Sequence, residues 1–293
     1  MIRVLIESLR LHQWAKNLLI FVPLLIGGKI HSVEAWTACV VGFVALGILT
    51  SSTYLINDFC DLPFDRHHWS KRERPLARGA LPLNVVLMVA PVGVLLSLAI
   101  AASIGGVAVL MLLSYGVSTL AYSFYLKRVP ILDVFMLAAL MTFRLCFGIL
   151  LADVRPSPWL LVFSMFIFMS LAVAKRLVEV RRNGALGRMS VAGRGYVDKD
   201  GPVLLGLGLS TTAGAVLIMI LYLINEAFGA TFYRSPSLLW ALPAILSLWL
   251  SRIWLLVGRD ELDDDPLRFA VKDNISLILG AAMIALFVSA WRL

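Results

Sequence analysis

Residues 36–66 read WTACVVGFVALGILTSSTYLINDFCDLPFDR: an uncharged apolar run over 36–56 that stops at Asn57 and passes directly into Asp58, Asp61 and Asp65. As a helix the apolar run is about 30 Å long, the hydrocarbon thickness of a bilayer. Its ending in carboxylates places an acidic cluster at a membrane surface. The rest of the chain repeats the theme. Of 293 residues, 60% are hydrophobic and 15% charged, and mean hydropathy is +0.89. Soluble domains carry nearer 25% charge. This composition excludes a soluble globular protein and predicts an all-α integral membrane protein.

Working outward from that run, successive apolar stretches predict nine spans over 17–31, 36–56, 84–104, 106–123, 131–151, 158–177, 203–225, 236–257 and 274–291, the first shorter than ideal. Turn residues separate them: Gly27 and Gly28, Gly105 and Gly106, Pro130, Pro156 and Pro158, Gly201 and Pro202, and Pro236. The expectation is one bundle over residues 1–293. No small-residue cleavage site follows a short apolar core at the N-terminus, so the first span is expected to stay in the mature protein. Cys39, Cys60 and Cys146 lack the paired spacing of a metal knuckle or redox motif.

Net charge is +8. Its placement decides between nucleic acid and membrane topology. Of the 26 Lys and Arg residues, Lys29, Arg155, Arg234 and Arg292 fall on one side, Arg144 and Arg252 fall inside spans, and all the others lie in loops of the opposite side. Cytoplasmic loops hold that excess, so the N-terminus and the polar loops are expected in the cytoplasm, the chain in the cell's inner membrane, and nucleic acid is not a partner. Most carboxylates share that face. The positive-inside rule makes no demand on them, so a separate cause is needed.

The stretch after the second span supplies one. Steps of three and seven residues bring Asp58, Asp61 and Asp65 within about 60° on a helix. Hard oxygen ligands at this density suit Mg²⁺, which completes its shell with waters and phosphate oxygens. Asp58, Asp61 and Asp65 are the candidate metal ligands, with Asp58 and Asp61 as catalytic candidates. Pro63 cannot continue a regular helix, so Asp65 is expected beyond a kink or on a new turn. Arg66, Lys71, Arg72 and Arg74 follow, cations suited to phosphate oxygens. A solvated loop contacting anionic lipid is the competing explanation. His67 and His68 have no zinc-site spacing.

Further candidates lie along the same face. Lys175, Arg176, Glu179 and Arg182 stand at the end of the sixth span, where Lys175, Glu179 and Arg182 share a helix face. The helix dipole and topology also favour cations there. Lys175 is the third catalytic candidate. Lys16, Asn57, Tyr125 and Lys127 are added as substrate contacts. The loop 193–200 mixes glycines with both charges and looks substrate-facing. Asp260, Glu261, Asp263, Asp264 and Asp265 form an acidic run that is either solvated or metal-facing. Arg144, inside the fifth span, needs an anion: a carboxylate of a neighbouring helix or a ligand phosphate. Asp133, eleven residues away, is about 16 Å along the axis, too far to pair with it.

Taken together, these features resemble the UbiA superfamily of intramembrane transferases, whose members have nine transmembrane helices and a motif Asn-Asp-x-x-Asp-x-x-x-Asp. Asn57, Asp58, Asp61 and Asp65 match it. The prenyl-transferring branch carries a second Asp-x-x-x-Asp after span six, where this chain has Lys175 and Glu179. Gln13 to Asn17, Asp65 to His67, Lys71 to Pro75, Asp133 through Arg144, Ser157 to Trp159, Lys175 and Arg176, and Asp263 to Pro266 look instead like the branch typified by decaprenyl-phosphate phosphoribosyltransferase. That resemblance implies a phosphoribosyl diphosphate donor, a polyprenyl phosphate acceptor and Mg²⁺, with prenyl diphosphate as the alternative donor and an aromatic acceptor. Displacement at the ribose anomeric carbon would need no protein nucleophile, since positioning and charge stabilisation lower the barrier. A transporter would also show many spans and an intramembrane Arg. It would carry its site near the midplane and show internal repeats, whereas here charge crowds one face.

Overall fold

The computed structural model describes residues 2–66, 71–191, 193–230, 233–262 and 266–291. Its helices, in chain order, are α1 (Ile2–Ser8), α2 (Phe21–Ile26), α3 (Val33–Asp65), α4 (Leu83–Ala102), α5 (Gly106–Phe124), α6 (Leu132–Ala152), α7 (Pro158–Ala185), α8 (Gly201–Tyr222), α9 (Ala241–Gly258), α10 (Pro266–Ala270) and α11 (Asn274–Ala290). Side chains cap the long ones where the sequence offers an acceptor. Ser32 Oγ accepts from Ala35 N at 3.1 Å to start α3, and Ser157 Oγ accepts from Leu160 N at 3.0 Å to start α7.

Among the described residues, seven helical segments are long and apolar enough to cross a membrane, and each overlaps an expected span. The expected first and last spans correspond to shorter apolar helices, Leu11–Ile26 and Asn274–Ala290. The first differs in kind, because Leu11–Ile20 is a 3₁₀-helix that only then continues into α2. α3 runs unbroken through Pro63 to Asp65, so Asp65 lies on the same helix as Asp58 and Asp61 and not beyond a break.

The chain divides into two compact units, residues 1–129 with 143–156, and residues 130–142 with 157–293. In the first, α3 is central and packs against α4, α5 and the 3₁₀ segment. Close approach there depends on missing side chains, as is common between membrane helices. A Cβ on Gly47 would meet the Trp14 ring at 2.7 Å, and one on Gly148 of α6 would stand 2.2 Å from the Ile20 carbonyl oxygen. Outward, α4 exposes Leu87, Met88 and Leu95, an apolar surface suited to lipid.

In the second unit α7 packs along α8, and both meet α9. Polar groups inside it are satisfied by one another: Trp254 Nε1 donates to Ser170 Oγ at 3.0 Å, and Ser170 and Thr212 share a hydrogen bond of 2.7 Å. Asp273 caps α11 by accepting from Ser276 N at 2.7 Å and takes both Nη atoms of Arg252, at 2.6 and 2.9 Å. The intramembrane Arg252 thereby meets its counter-ion at a helix start.

Candidate functional site

The last two turns of α3 carry Asp58, Asp61 and Asp65 toward the helix C-terminus, where the macrodipole disfavours anions. Asp58 and Asp65 are buried, each about 4% exposed at the side chain. Buried carboxylates at the wrong end of a helix require cations, and three elements of the first unit deliver them. Arg74 Nη1 bridges two of them, 3.0 Å from Asp58 Oδ1 and 2.5 Å from Asp65 Oδ2. Arg10 also donates to Asp58, and Lys127 donates to Asp61. Asn57 Nδ2 reaches the other Asp61 oxygen at 3.2 Å. Among the described residues, the three carboxylates are thus paired with Arg10, Arg74 and Lys127.

Local sequence explains each arrival. Arg74 opens a tight turn in which Pro75 O accepts from Ala80 N and Leu81 N at 2.9 and 3.1 Å, with Gly79 at φ +75°. Leu76 and Leu81 bury that turn against Leu55, Val86 and Ala90. Arg10 itself adopts a left-handed φ of 50°, which turns α1 into the 3₁₀ segment. Ser51, two turns before Asp58 on α3, fixes this entry: its Oγ donates to Leu9 O at 2.7 Å and accepts from Trp14 Nε1 at 2.9 Å. Lys127 is only 4% exposed, held on the short 3₁₀ turn Leu126–Arg128.

Among the described residues, no group of three or more His, Cys, Asp or Glu stands together as a metal site. The cluster is closed by cations instead: the Arg74 guanidinium lies between Asp58 and Asp65, and the Lys127 ammonium sits on Asp61. The donor set, hard carboxylate oxygens with an amide beside them, nevertheless fits a divalent oxygen-loving cation in kind. A cation of that class would take the place that Arg74 now holds between Asp58 and Asp65.

A second charged network lies within the second unit. Asp133, fully buried on α6, accepts from Arg176 Nε and from the Tyr196 hydroxyl at 2.5 Å, and has Arg194 Nη1 at 3.6 Å. Arg176, 1% exposed, donates also to Glu179. Tyr196 OH in turn accepts from Ile131 N at 2.9 Å. Burial and the Asp133 carboxylate hold the Tyr196 phenol well above its ordinary range, so it stays a donor. The loop expected to face substrate is in this part a docked strap.

Of the remaining candidates, Lys16 is half-buried on the 3₁₀ segment, Lys175 and Arg182 are half-buried on α7, and Arg66 and Tyr125 are exposed. Arg72 is exposed and pairs with its neighbour Glu73 at 3.4 Å. Glu179 joins Arg176 at i+3. Arg144, buried on α6, donates from Nε to Asn17 Oδ1 at 2.9 Å and from Nη2 to Tyr115 OH at 2.8 Å. Asp133 pairs with Arg176, in keeping with its distance from Arg144 along the helix. The Lys71 side chain and residues His67, His68, Asp263, Asp264 and Asp265 lie outside the described residues. Arg10, Asn17 and Tyr115 are not among the individually expected site residues, whereas Arg194 and Tyr196 belong to the loop expected to face substrate. Arg10 gave a signal that topology absorbed, a cation just before a span.

With this geometry in view, comparison with known proteins becomes informative. Residues 19–291 match the UbiA prenyltransferase family. The uncharacterized protein y4nM of Sinorhizobium fredii is 41% identical over 97% of this chain, which spans only 55% of that protein's length. Nodulation protein NoeC of Azorhizobium caulinodans is 30% identical over 98% of this chain and 93% of its own. A decaprenyl-phosphate phosphoribosyltransferase of Mycolicibacterium smegmatis is 34% identical over 64% of this chain and 61% of its own. In fold, the chain is similar to a UbiA homologue from Archaeoglobus fulgidus bound to DMAPP and Mg²⁺, with TM-score 0.72, 16% identity, and coverage of 97% of this chain and 99% of that one.

Proposed function

Because this chain belongs to the UbiA prenyltransferase family, and is therefore an integral membrane transferase, we propose that it moves 5-phosphoribose from phosphoribosyl diphosphate to a polyprenyl phosphate. In this reading Leu11–Ile26 and Asn274–Ala290 complete nine crossings with the seven long helices. The carboxylate cluster faces the cytoplasm of an inner-membrane protein, following the Lys and Arg placement.

The observation that carries the reading is the pairing of Asp58, Asp61 and Asp65 with Arg10, Arg74 and Lys127. A diphosphate accompanied by a divalent cation can enter by exchange of partners. Asp58, Asp61 and Asp65 would hold Mg²⁺, and Arg10, Arg74 and Lys127 would turn from carboxylate to phosphate oxygens. When bound, the metal neutralises charge that develops on the departing diphosphate. Arg10 and Arg74 share that work and fix the leaving group in line. Asn57, bonded to Asp61, orients that carboxylate. The acceptor oxygen is already ionised at neutral pH, so no general base is needed.

The phosphoribosyl choice is supported by the partial likeness to decaprenyl-phosphate phosphoribosyltransferase and by Lys175 and Glu179 standing where a second Asp-x-x-x-Asp is expected of the prenyl branch. Prenyl transfer to an aromatic acceptor is the second reading, favoured by the fold shared with a DMAPP-bound homologue. Purified protein given Mg²⁺ and radiolabelled phosphoribosyl diphosphate with polyprenyl phosphate is expected to move label into lipid. Label moving only from a prenyl diphosphate to an aromatic acid would reverse the choice.

A further inference from the structure

Arg144, Asn17 and Tyr115 form a buried polar group in the first unit that the carboxylate cluster does not account for. Arg144 stands twelve residues into an apolar helix, and all three side chains are under 5% exposed. Arg144 Nε–H is a donor, so the Asn17 amide must present its oxygen to it. A flipped amide would set two donors against each other. The orientation is therefore fixed by chemistry, and it leaves Asn17 Nδ2 buried with no hydrogen-bond partner among the described residues. A buried amide donor without an acceptor is rare enough to require an explanation.

The element that carries Asn17 adds an independent observation. Leu11–Ile20 is a ten-residue 3₁₀-helix, where runs beyond three or four residues are uncommon and often mark a functional or strained segment. It is drawn onto α6 at Gly148, one turn from Arg144, where only a missing side chain lets the Ile20 carbonyl approach. The fold thus keeps a poorly bonded helix in place in order to set an amide beside an intramembrane guanidinium. Asn17 Nδ2 belongs to the carboxamide that Arg144 grips. An acceptor at hydrogen-bond distance from it would lie within a few ångströms of the guanidinium charge.

We infer that Arg144 and Asn17, steadied by Tyr115, are a second anion seat, which takes a phosphomonoester of a substrate while the diphosphate occupies the carboxylate cluster. Arg10, which contacts that cluster, and Asn17 are seven residues apart, about 14 Å at the 3₁₀ rise. A substrate set with two separated phosphate groups offers an anion to each end. A prenyl diphosphate offers only one, followed by an apolar tail to which a buried Arg is hostile. The phosphomonoester has two sources, the 5-phosphate of a phosphoribosyl donor or the phosphate of the lipid acceptor. The inference rests on the transferase reading only in taking its ligand to be a substrate.

Binding without turnover tests it and does not depend on which group is transferred. Full-length protein in detergent is titrated with ribose 5-phosphate and with geranyl phosphate, ribose and geraniol serving as controls. Asn17→Asp supplies an internal anion to Arg144 and keeps the fold, so its melting temperature should equal or exceed that of wild type while phosphomonoester binding weakens about tenfold, the worth of one charged hydrogen bond. Asn17→Leu, similar in volume, is expected to weaken the same binding should the Asp variant fail to fold. Loss confined to ribose 5-phosphate identifies the donor's phosphate, and loss confined to geranyl phosphate identifies the acceptor's. Wild type binding neither phosphate better than its control, or both variants binding as wild type does, overturns the seat. A seat that stands while prenyl transfer wins the paired donor assay overturns the proposed function alone.

Discussion

Replacing Arg74 with Gln removes a side chain that touches two buried carboxylates at once. Arg74 Nη1 lies 3.0 Å from Asp58 and 2.5 Å from Asp65, and both acids are about 4% exposed. Removing one partner of a buried ion pair costs about 3–5 kcal/mol, because the remaining charge is stranded. Asp58 keeps Arg10, and Arg74 is itself 22% exposed, so water can enter and the lower figure, about 3 kcal/mol, applies. The same vacancy is a better metal site than the wild-type cluster. With Mg²⁺ at about 100 times its dissociation constant, binding to the folded state returns about 2.7 kcal/mol. The expected result in detergent or nanodiscs is a variant that unfolds well before wild type in EDTA and regains most of the difference in Mg²⁺. Arg74→Lys, which keeps the charge on a shorter side chain without the guanidinium fork, should fall between. A variant as stable as wild type, or one whose loss ignores divalent cations, would refute the idea that these carboxylates are poised for a metal.

Two further outcomes follow from the second unit. Tyr196→Phe keeps the buried ring and removes a hydroxyl bonded to Asp133 and Ile131 N, at a cost of about 1.5–3 kcal/mol. Hydrogen exchange should quicken across residues 186–200 and little elsewhere. The phenol's raised pKa means this contribution is intact below its ordinary value of 10.0 and fails as the pH rises beyond it, so wild type should loosen in the same segment in alkali. Asp273→Asn loses the bidentate Arg252 pair and weakens the α11 cap. Desolvation is the largest single influence and raises the Asp273 pKa, but the Arg252 and Ser276 bonds together with the Arg252 charge outweigh it and hold the carboxyl below 3.8. Its stabilisation is thus complete above that value and lost as pH falls through the lower folded pKa, a dependence that acid titration of the variant should lack.

Much of this architecture is legible in the sequence, for identifiable reasons. Apolar length finds the seven long helices because a continuous apolar run of about 20 residues can satisfy its own backbone in lipid only as a helix. Helical periodicity sets Asp58, Asp61 and Asp65 on one face, since three- and seven-residue steps need no tertiary knowledge. What periodicity cannot reach are partners brought in from far along the chain. Arg10 lies 48 residues from Asp58, and Lys127 66 from Asp61. Tyr196 sits among glycines and charges that read as a substrate-facing loop, yet its hydroxyl is bonded to the buried Asp133 carboxylate. Pro63 reads as a break because its missing N–H and ring crowd the preceding turn, but α3 carries it within its last turn. Leu11–Ile20 lies mostly ahead of the span expected from residue 17, and no local pattern announces its 3₁₀ winding or its close approach to two helices, Trp14 against Gly47 and Ile20 against Gly148.

The most direct test of the account is diphosphate release from phosphoribosyl diphosphate in the presence of polyprenyl phosphate, measured with and without Mg²⁺ for wild type, Asp58→Asn and Asp61→Asn. Wild type should show metal-dependent release, and either variant should lose at least about a hundredfold, as for removal of one preorganised charge-stabilising group. Release that proceeds equally in both variants, or equally in EDTA, would contradict it.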